Sequence, residues 1–268
     1  MDLFPLLWQT IQTSNISEKW HLFQQIYTNR HRLNPNSSFP IHRWEIPSYH
    51  SICSIVLPKK LPKRGWSSPQ KRGALLHSIL HIERSAIDLA LDGVYRFRGL
   101  PMEYYLDWLE TAREEFRHYF LIEKLLSQLG YHYGSFPVHL GLFEIASKTT
   151  DLLSRMGIIP RWFEAHGLDV NLKLIKKLKH YLPEQFTADT IATLQIILKE
   201  EIPHVQRGDR WFKWECRRQN LDPIETYFYL VEQFVKKWKP EKDLNLEARL
   251  KAGFSCWELE RLAGKRVC

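Results

Sequence analysis

The sequence has little of what builds zinc knuckles, dithiol redox sites or membrane spans. Its four cysteines, Cys53, Cys216, Cys256 and Cys268, show no C-x-x-C spacing, so we expect free thiols in a reducing compartment. No apolar run approaches the roughly 18 residues of a transmembrane helix. The opening MDLFPLLWQT carries an acid where a signal peptide carries basic residues. These features predict a soluble, cytoplasmic protein that does not bind membranes.

Sustained two-residue alternation with Gly-rich turns is also missing, which argues against a β-sheet protein. Apolar residues instead recur at helical spacing in long segments, and 44% hydrophobic residues supply a substantial core. We predict an all-α fold, a four-helix bundle with extra N-terminal and C-terminal helices. Residues 1–69 would form two short helices and a Pro-rich arm that pack on the bundle, and residues 70–268 the bundle and its C-terminal extension.

Glycine and proline set the predicted helix boundaries. The first long helix runs from Gln70 to about Arg98 before Gly99, and the second from Pro101 to Leu129 before Gly130. The third begins near His139, bends at Pro160 and ends at Gly167, and a short basic helix, NLKLIKKLKHYL, follows it. The fourth runs from about Thr187 to Gln219, and a further helix begins after Asp222 and reaches about Trp238.

Two similar five-residue segments, EEFRH and EEIPH, contain candidate metal ligands. Each contains a Glu-x-x-His pair, Glu115 with His118 and Glu201 with His204. Residues three apart project from one face of a helix, so each pair can bind one cation. A single pair on a helix is usually solvated surface, but two pairs on separate long helices predict a metal site.

Two further glutamates complete the predicted ligand set. Glu83 lies in the middle of the apolar stripe of the first long helix, where a carboxylate needs a strong partner such as a metal. Glu164 lies in the third helix, although Glu144 earlier in that segment could take its place. Four carboxylates and two imidazoles nearly balance two divalent cations and leave positions for dioxygen. The cofactor predicted from this set is two iron ions, with manganese or zinc as alternatives.

The acids that precede the ligands are predicted to orient the histidines. Glu200 would accept a hydrogen bond from His118, and Glu114 one from His204. Pro203 cannot donate a backbone hydrogen bond, so we expect a local bulge or kink that displaces His204. His77 and His81 lie off the Glu83 face, which favours a structural role or one that supports the ligands.

At these residues the chain resembles the ferritin-like superfamily, and more narrowly a bacterial ferritin-like family catalogued as a domain of unknown function. The segments that carry the resemblance are HIERSAIDLALD, DWLETAREEFRHYFLIEKLLSQLGYHYGSFPVH, RMGIIPRWFEAHGLDVN, KEEIPHVQRGDRWF and LNLEARLKAGFS. The resemblance implies a ferritin-like bundle with a di-metal centre at the six residues named above. It implies no particular reaction.

The sequence leaves the activity open among three alternatives. The leading prediction is a non-haem di-iron or di-manganese oxidoreductase, an oxygenase or oxidase that activates dioxygen on an unknown small molecule. A net charge of +8 and basic residues interleaved with Trp211 and Trp214 keep RNA open as a partner. The superfamily includes a di-iron tRNA hydroxylase, so the resemblance adds tRNA as a substrate. The third alternative is a non-catalytic, metal-binding helical interaction protein. The oligomeric state stays open.

Overall fold

The computed structural model describes residues 2–235 and 238–268, and these residues are overwhelmingly helical. This confirms the predicted all-α class. The helices are α1 (Phe4–Gln12), α2 (Ile16–Thr28), α3 (Pro69–Arg96), α4 (Met102–Gln128), α5 (Gly141–Lys148), α6 (Leu152–Ile158), a π-helical segment (Ile159–Glu164), α7 (Ala165–Leu178), α8 (Gln185–Arg218), α9 (Pro223–Phe234), α10 (Leu246–Lys251) and α11 (Cys256–Ala263). Short 3₁₀ turns lie at Arg30–Arg32, Pro58–Lys60 and Lys179–Tyr181. Among the described residues, no helix is long and apolar enough to cross a bilayer.

The chain divides into two compact units, Met1–Ser147 and Lys148–Cys268. The N-terminal unit is built on the hairpin of α3 and α4, which run antiparallel. Near the connection, the Tyr104 hydroxyl donates to the Gly93 carbonyl at 3.1 Å. At the far ends, a Cβ on Gly73 would lie 2.5 Å from the Tyr131 ring. The predicted stop at Gly130 holds, because it follows the C-cap of α4 with a φ of +76°. Helix α3 ends slightly earlier than predicted, at Arg96, where Phe97 is extended, and Gly99 turns the connection to α4 with a φ of +68°.

Aromatic side chains attach the two N-terminal helices to this hairpin. In α2, Trp20 and Phe23 each lie with a ring centroid 5.0 Å from that of Phe116 in α4. The Phe4 ring of α1 packs against Tyr95 and Tyr105 at 6.4 and 6.5 Å. This packing explains why helices of nine and thirteen residues, too short to be stable alone, are ordered here.

The Pro-rich arm has no regular helix or strand beyond its 3₁₀ turn, as predicted, and polar contacts bind it to the hairpin. Its Ile55 forms an isolated parallel bridge with Val138. Ser48 donates to the Asp88 carboxylate at 2.5 Å. Asp88 also pairs with the fully buried Lys19 of α2. Arm, α2 and α3 therefore meet at one buried carboxylate.

The C-terminal unit is built on a second antiparallel hairpin, in which α6, the π-helical segment and α7 pack along α8. Arg161 of the π-helical segment is fully buried and anchors the other elements. Its guanidinium contacts Asp209 at 2.9 Å and Glu258 at 2.6 Å. The Tyr227 hydroxyl of α9 donates to the Arg161 carbonyl at 3.1 Å. One residue thus joins α8, α9 and α11.

The predicted third helix begins close to its predicted start, at Gly141, but it is interrupted and its predicted end is wrong. It is interrupted after α5, because the Asp151 side chain accepts from the Ser154 backbone N–H at 2.8 Å and starts a new helix. It also does not stop at Gly167. A Cβ there would meet nothing within 4 Å, and the helix continues to Leu178, so the predicted separate basic helix is the second half of α7. Pro160 is accommodated by π-helical geometry.

The later helices need smaller corrections. The helix predicted to reach Trp238 ends at Phe234. Residues 236 and 237, which the prediction included, lie outside the described residues. Helix α8 spans Gln185–Arg218, close to the predicted bounds.

The expectation of four free thiols is wrong for two of them. Cys256 and Cys268 form a disulfide with their Cα atoms 5.8 Å apart, whereas Cys53 and Cys216 are free and buried. Gly264 explains the pairing, because its φ of +63° ends α11 in a left-handed residue and turns the tail back along the helix. Cys268 thereby returns to the first residue of α11.

Candidate metal centre

In the N-terminal unit, the α3 and α4 hairpin brings Glu83, Glu115 and His118 together. The antiparallel register puts Glu83, in the middle of α3, level with the Glu-x-x-His pair of α4. All three residues are at most 4% exposed. Each offers a ligand atom, and these atoms lie within 4.8 Å of one another. The structure therefore brings Glu83, Glu115 and His118 together within this unit, and their role as metal ligands stays a prediction.

Distances within this cluster suit the coordination of an ion. The Nδ1 atom of His118 lies 3.4 Å from a Glu83 oxygen and 3.5 Å from a Glu115 oxygen. Two ligands bound at about 2.1 Å to one ion, at angles of about 90° to 110°, are themselves about 3.0 to 3.4 Å apart. The cluster also combines the hard carboxylate and imidazole donors that iron, manganese and zinc accept. These three residues could hold a metal ion.

His77 and His81 do not belong to the cluster, as the sequence predicted. The Nε2 atom of His77 accepts from the Gly134 backbone N–H at 2.9 Å. His81 bonds the Tyr133 hydroxyl at 2.9 Å and the His139 carbonyl at 3.1 Å. Burial lowers the pKa of each to about 4. Both histidines are therefore neutral at pH 7 and hold the loop after α4 against α3.

In the C-terminal unit, the second hairpin repeats the arrangement of the first. Asn171 of α7 donates to the Leu194 carbonyl of α8 at 3.2 Å. Further along, Pro160 lies so close to Gly208 that a Cβ there would be 2.2 Å away. Glu164 follows Pro160 by four residues, and His204 precedes Gly208 by four. The antiparallel register therefore places Glu164 level with the pair on α8.

Pro203 does not displace His204, contrary to our expectation. Helix α8 continues through Pro203 without interruption, and His204 is fully buried. Its Nδ1 atom lies 3.5 Å from a Glu201 oxygen, the same separation as in the pair Glu115 and His118. Proline removes only one backbone hydrogen bond, and the contacts of α8 with the rest of the unit keep the helical path.

The remaining predicted residues have different surroundings. Glu144, the alternative to Glu164, is exposed on α5, whereas Glu164 is partly buried. Glu114 is partly buried 3.7 Å from Arg113, and Glu200 is partly buried on α8. The predicted bonds of Glu114 and Glu200 to histidines stay predictions.

The basic and aromatic face of α8, predicted as an RNA surface, contacts its own chain extensively. Lys213 pairs with Asp209 at 2.8 Å and Arg218 with Glu215 at 2.6 Å. The Arg210 guanidinium lies over the Trp211 ring at 5.3 Å. These cations contribute to the surface of the unit, and binding of RNA stays a prediction.

Sequence reasoning missed the buried polar cluster that follows Glu83 on α3 and includes Arg84 and Asp88. Arg84 donates to the carbonyls of Thr13 and Ser14 at 3.1 and 2.9 Å. Together with the pair of Lys19 and Asp88, it fixes the turn between α1 and α2 against α3. The sequence does contain a signal for this cluster, because Arg84 and Asp88 lie four residues apart in an otherwise apolar helix, where buried charges need polar partners.

The helices and the buried glutamate and histidine cluster define an all-helical protein with a candidate metal centre. The chain belongs to the family described as "Protein of unknown function (DUF455)", whose family model matches residues 12–260. A Haemophilus influenzae protein named "Uncharacterized protein" is 34% identical over 276 residues, which cover 96% of this chain and 94% of that protein. No solved structure matches the chain significantly.

Proposed function

We propose that this protein is a di-metal carboxylate oxidoreductase of the ferritin-like type, with iron as the resident metal. The ligands would be Glu83, Glu115 and His118 from the N-terminal unit and Glu164, Glu201 and His204 from the C-terminal unit. The observation that carries the proposal is the buried cluster of Glu83, Glu115 and His118, whose ligand atoms lie within 4.8 Å of one another.

The burial of the two carboxylates supports a metal site over a purely structural role for these residues. An ionised carboxylate in an apolar interior carries a desolvation penalty of several kcal/mol unless a cation or strong donors compensate it. Glu83 and Glu115 are 4% and 1% exposed, and they lie side by side around one imidazole. Two adjacent carboxylates repel each other, so a divalent cation is the natural partner for the pair.

The same arrangement in the second hairpin supports two metals rather than one. A glutamate on one helix lies level with a Glu-x-x-His pair on the next, in the N-terminal unit and again in the C-terminal unit. Each half supplies two carboxylates and one imidazole, so the six donors formally neutralise two divalent ions. Bound iron would supply redox chemistry with dioxygen. The protein would supply buried ligands, neutral imidazoles and a site shielded from water.

Metal analysis of the chain purified without chelator tests the proposal. We expect about two iron ions per chain, and consumption of dioxygen when the ferrous protein is mixed with air. A chain that binds no metal after anaerobic incubation with ferrous iron would rule out the metal centre. Tight binding of one zinc ion without dioxygen consumption would support the non-catalytic helical protein instead.

A matched pair of variants on α4 locates the site. Glu115→Gln removes a charge from the cluster, and we expect it to lower bound iron by at least about half. Glu123→Gln is the control, because Glu123 lies two turns further along the same helix, where it accepts from the Tyr119 hydroxyl at 3.2 Å. The control should retain its iron. Equal retention in both variants would contradict the assignment of Glu115.

A further inference from the structure

A cavity of about 360 Å³ lies within the C-terminal unit, away from the metal ligands along the sequence. Three segments line it: the face of α7 that carries Lys173 and Lys176, the connection between α9 and α10, and the tail after α11. Its volume falls in the usual range for pockets that hold small organic ligands. Three segments border this cavity, and it is partly open to solvent.

The lining of this cavity is strongly basic. Five cations face it, Lys173, Lys176, Lys242, Lys265 and Arg266, against the two carboxylates of Asp169 and Asp243. Asp169 is already neutralised, since it accepts from Arg249 at 2.6 to 3.2 Å and from the Asn245 backbone N–H at 2.7 Å. The field in the cavity is therefore that of an anion site.

Four of these cations are not used by the fold. Lys173 pairs with Glu241 at 2.6 Å. By contrast, within residues 2–235 and 238–268, no ion pair connects Lys176, Lys242, Lys265 or Arg266 to an acid. Like charges brought together this way repel one another, and a bound anion would remove that repulsion.

The tail that supplies two of the cations is fixed at both ends. Gly264 turns the chain at the end of α11, and the disulfide of Cys256 with Cys268 ties the tail back to the first residue of that helix. Between these points, the Lys265 backbone N–H donates to the Glu260 carbonyl at 3.3 Å. A terminal segment without such restraints would be expected to fray. Here Lys265 and Arg266 are held at the cavity.

We propose that this cavity binds a small phosphorylated molecule, and that the disulfide positions Lys265 and Arg266 for its phosphate. Phosphate oxygens accept several charge-assisted hydrogen bonds at once, which suits lysine and arginine side chains that converge from three directions. A polynucleotide would need a basic track that continues along the surface, whereas these cations converge on one cavity of about 360 Å³.

Titration calorimetry with defined probes tests the proposal. The probes are inorganic phosphate, pyrophosphate, adenosine monophosphate and a short single-stranded oligoribonucleotide. We expect the full chain to bind pyrophosphate or the nucleotide with a dissociation constant below about 1 mM, and more weakly as salt is added. Absence of binding to every probe would overturn the proposal. Binding of the oligoribonucleotide alone would also overturn it, in favour of an RNA surface.

Neighbouring lysines on α7 supply the matched control. Lys176→Ala removes a lining cation and should weaken binding about tenfold. Lys177→Ala removes an equally exposed charge from the adjacent position, outside the lining, and should leave binding within about twofold. Equal losses in the two variants would mean that the probe senses overall charge and not this cavity.

The contribution of the disulfide is tested by Cys268→Ser. This variant keeps every lining cation but frees the tail, so we expect binding to weaken several-fold with an unchanged far-UV circular dichroism spectrum. Lys265→Ala in the Cys268→Ser background should then have a smaller effect than in the parent chain. Full affinity in Cys268→Ser would show that the tail is not part of the site.

Discussion

The substitution Gly208→Ala adds one methyl group and tests the close contact between the π-helical segment and α8. A Cβ there would lie 2.2 Å from both Cβ and Cγ of Pro160, far inside van der Waals contact. Neither partner can rotate away, since one is a helix backbone and the other a closed ring. Overpacking of this kind destabilises by about 1 to 3 kcal/mol, and we expect the upper end. The better helix propensity of alanine offsets about 1 kcal/mol.

The net loss of about 2 kcal/mol corresponds to a fall in melting temperature of about 4 to 8 °C. Gly167→Ala is the matched control, because this glycine is also helical but a Cβ would meet nothing within 4 Å. There the propensity gain acts alone, so the variant should melt up to about 4 °C higher than the parent chain. The same substitution thus has opposite signs at two glycines of one unit.

Thermal melts followed by far-UV circular dichroism measure both effects. The double variant Gly208→Ala with Pro160→Gly removes both clashing atoms, and it should recover much of the loss attributed to Gly208→Ala. A Gly208→Ala variant as stable as Gly167→Ala would refute the contact between the π-helical segment and α8. The register that places Glu164 level with His204 would then lose its support.

Three further perturbations follow from the buried charges. Asp88→Ala leaves the fully buried Lys19 without its carboxylate and should lower the free energy of unfolding by about 3 to 5 kcal/mol, whereas Glu247→Ala, at the exposed pair with Lys251, should change it by less than about 1 kcal/mol. Arg161→Met removes the buried cation that Asp209 and Glu258 share, while Lys213 still pairs with Asp209, so the free energy of unfolding in urea should fall by about 3 kcal/mol, the low end for a broken buried pair, and an unchanged midpoint would contradict the anchoring role of Arg161. His77 has a pKa lowered to about 4 by burial, so the unfolded chain binds one more proton between about pH 6.5 and 4. Stability from this group is complete above pH 6.5 and falls by about 3 kcal/mol in total as the pH approaches 4, and a His77→Gln variant should lack that part of the slope in urea titrations.

The helices were predictable where periodicity and stop residues agreed. Gly130 directly follows the C-cap of α4 and adopts a positive φ, which glycine accepts without strain, whereas α3 ends at Arg96, three residues before Gly99. The third helix was not predictable by the same rule. A Cβ on Gly167 would meet nothing within 4 Å. Only the packing of α7 against α8 shows that the helix continues through this glycine and does not end there. The cap at Asp151 is a local signal that the prediction overlooked.

The cysteine pairing shows a different limit. Cys256 and Cys268 are twelve residues apart, a spacing that belongs to no motif. Their approach depends on a turn at Gly264, followed by a tail that runs back along α11. Spacing along the chain cannot reveal such a return, because it depends on the three-dimensional path of residues 264–268.

The ligand prediction for the N-terminal unit rested on a physical conflict that sequence alone displays. Glu83 interrupts an apolar stripe, and the structure places it 3.4 Å from the Nδ1 atom of His118. Arg84 and Asp88 are two further buried charges on the same helix, and their partners are protein groups. Arg84 donates to backbone carbonyls, and Asp88 accepts from Ser48 and pairs with Lys19. A charged residue at a buried position therefore predicts a partner, but the amino-acid sequence does not show whether that partner is a metal ion or a protein group.

The assignment of Glu164 depends on a register that both helical geometries preserve. Glu164 lies four residues after Pro160, and an α-helix rotates about 40° past a full turn over that distance, since it has 3.6 residues per turn. The wider π-helical turn falls short of a full turn by a similar angle. In either case Glu164 stays on the face that meets α8. The π-helical geometry therefore leaves the predicted ligand on the side that meets α8, whereas a two-residue insertion between Pro160 and Glu164 would rotate the carboxylate about 120° or more away from α8 in either geometry. Such an insertion should reduce bound metal while far-UV circular dichroism stays nearly unchanged, and full metal content would exclude Glu164 as a ligand.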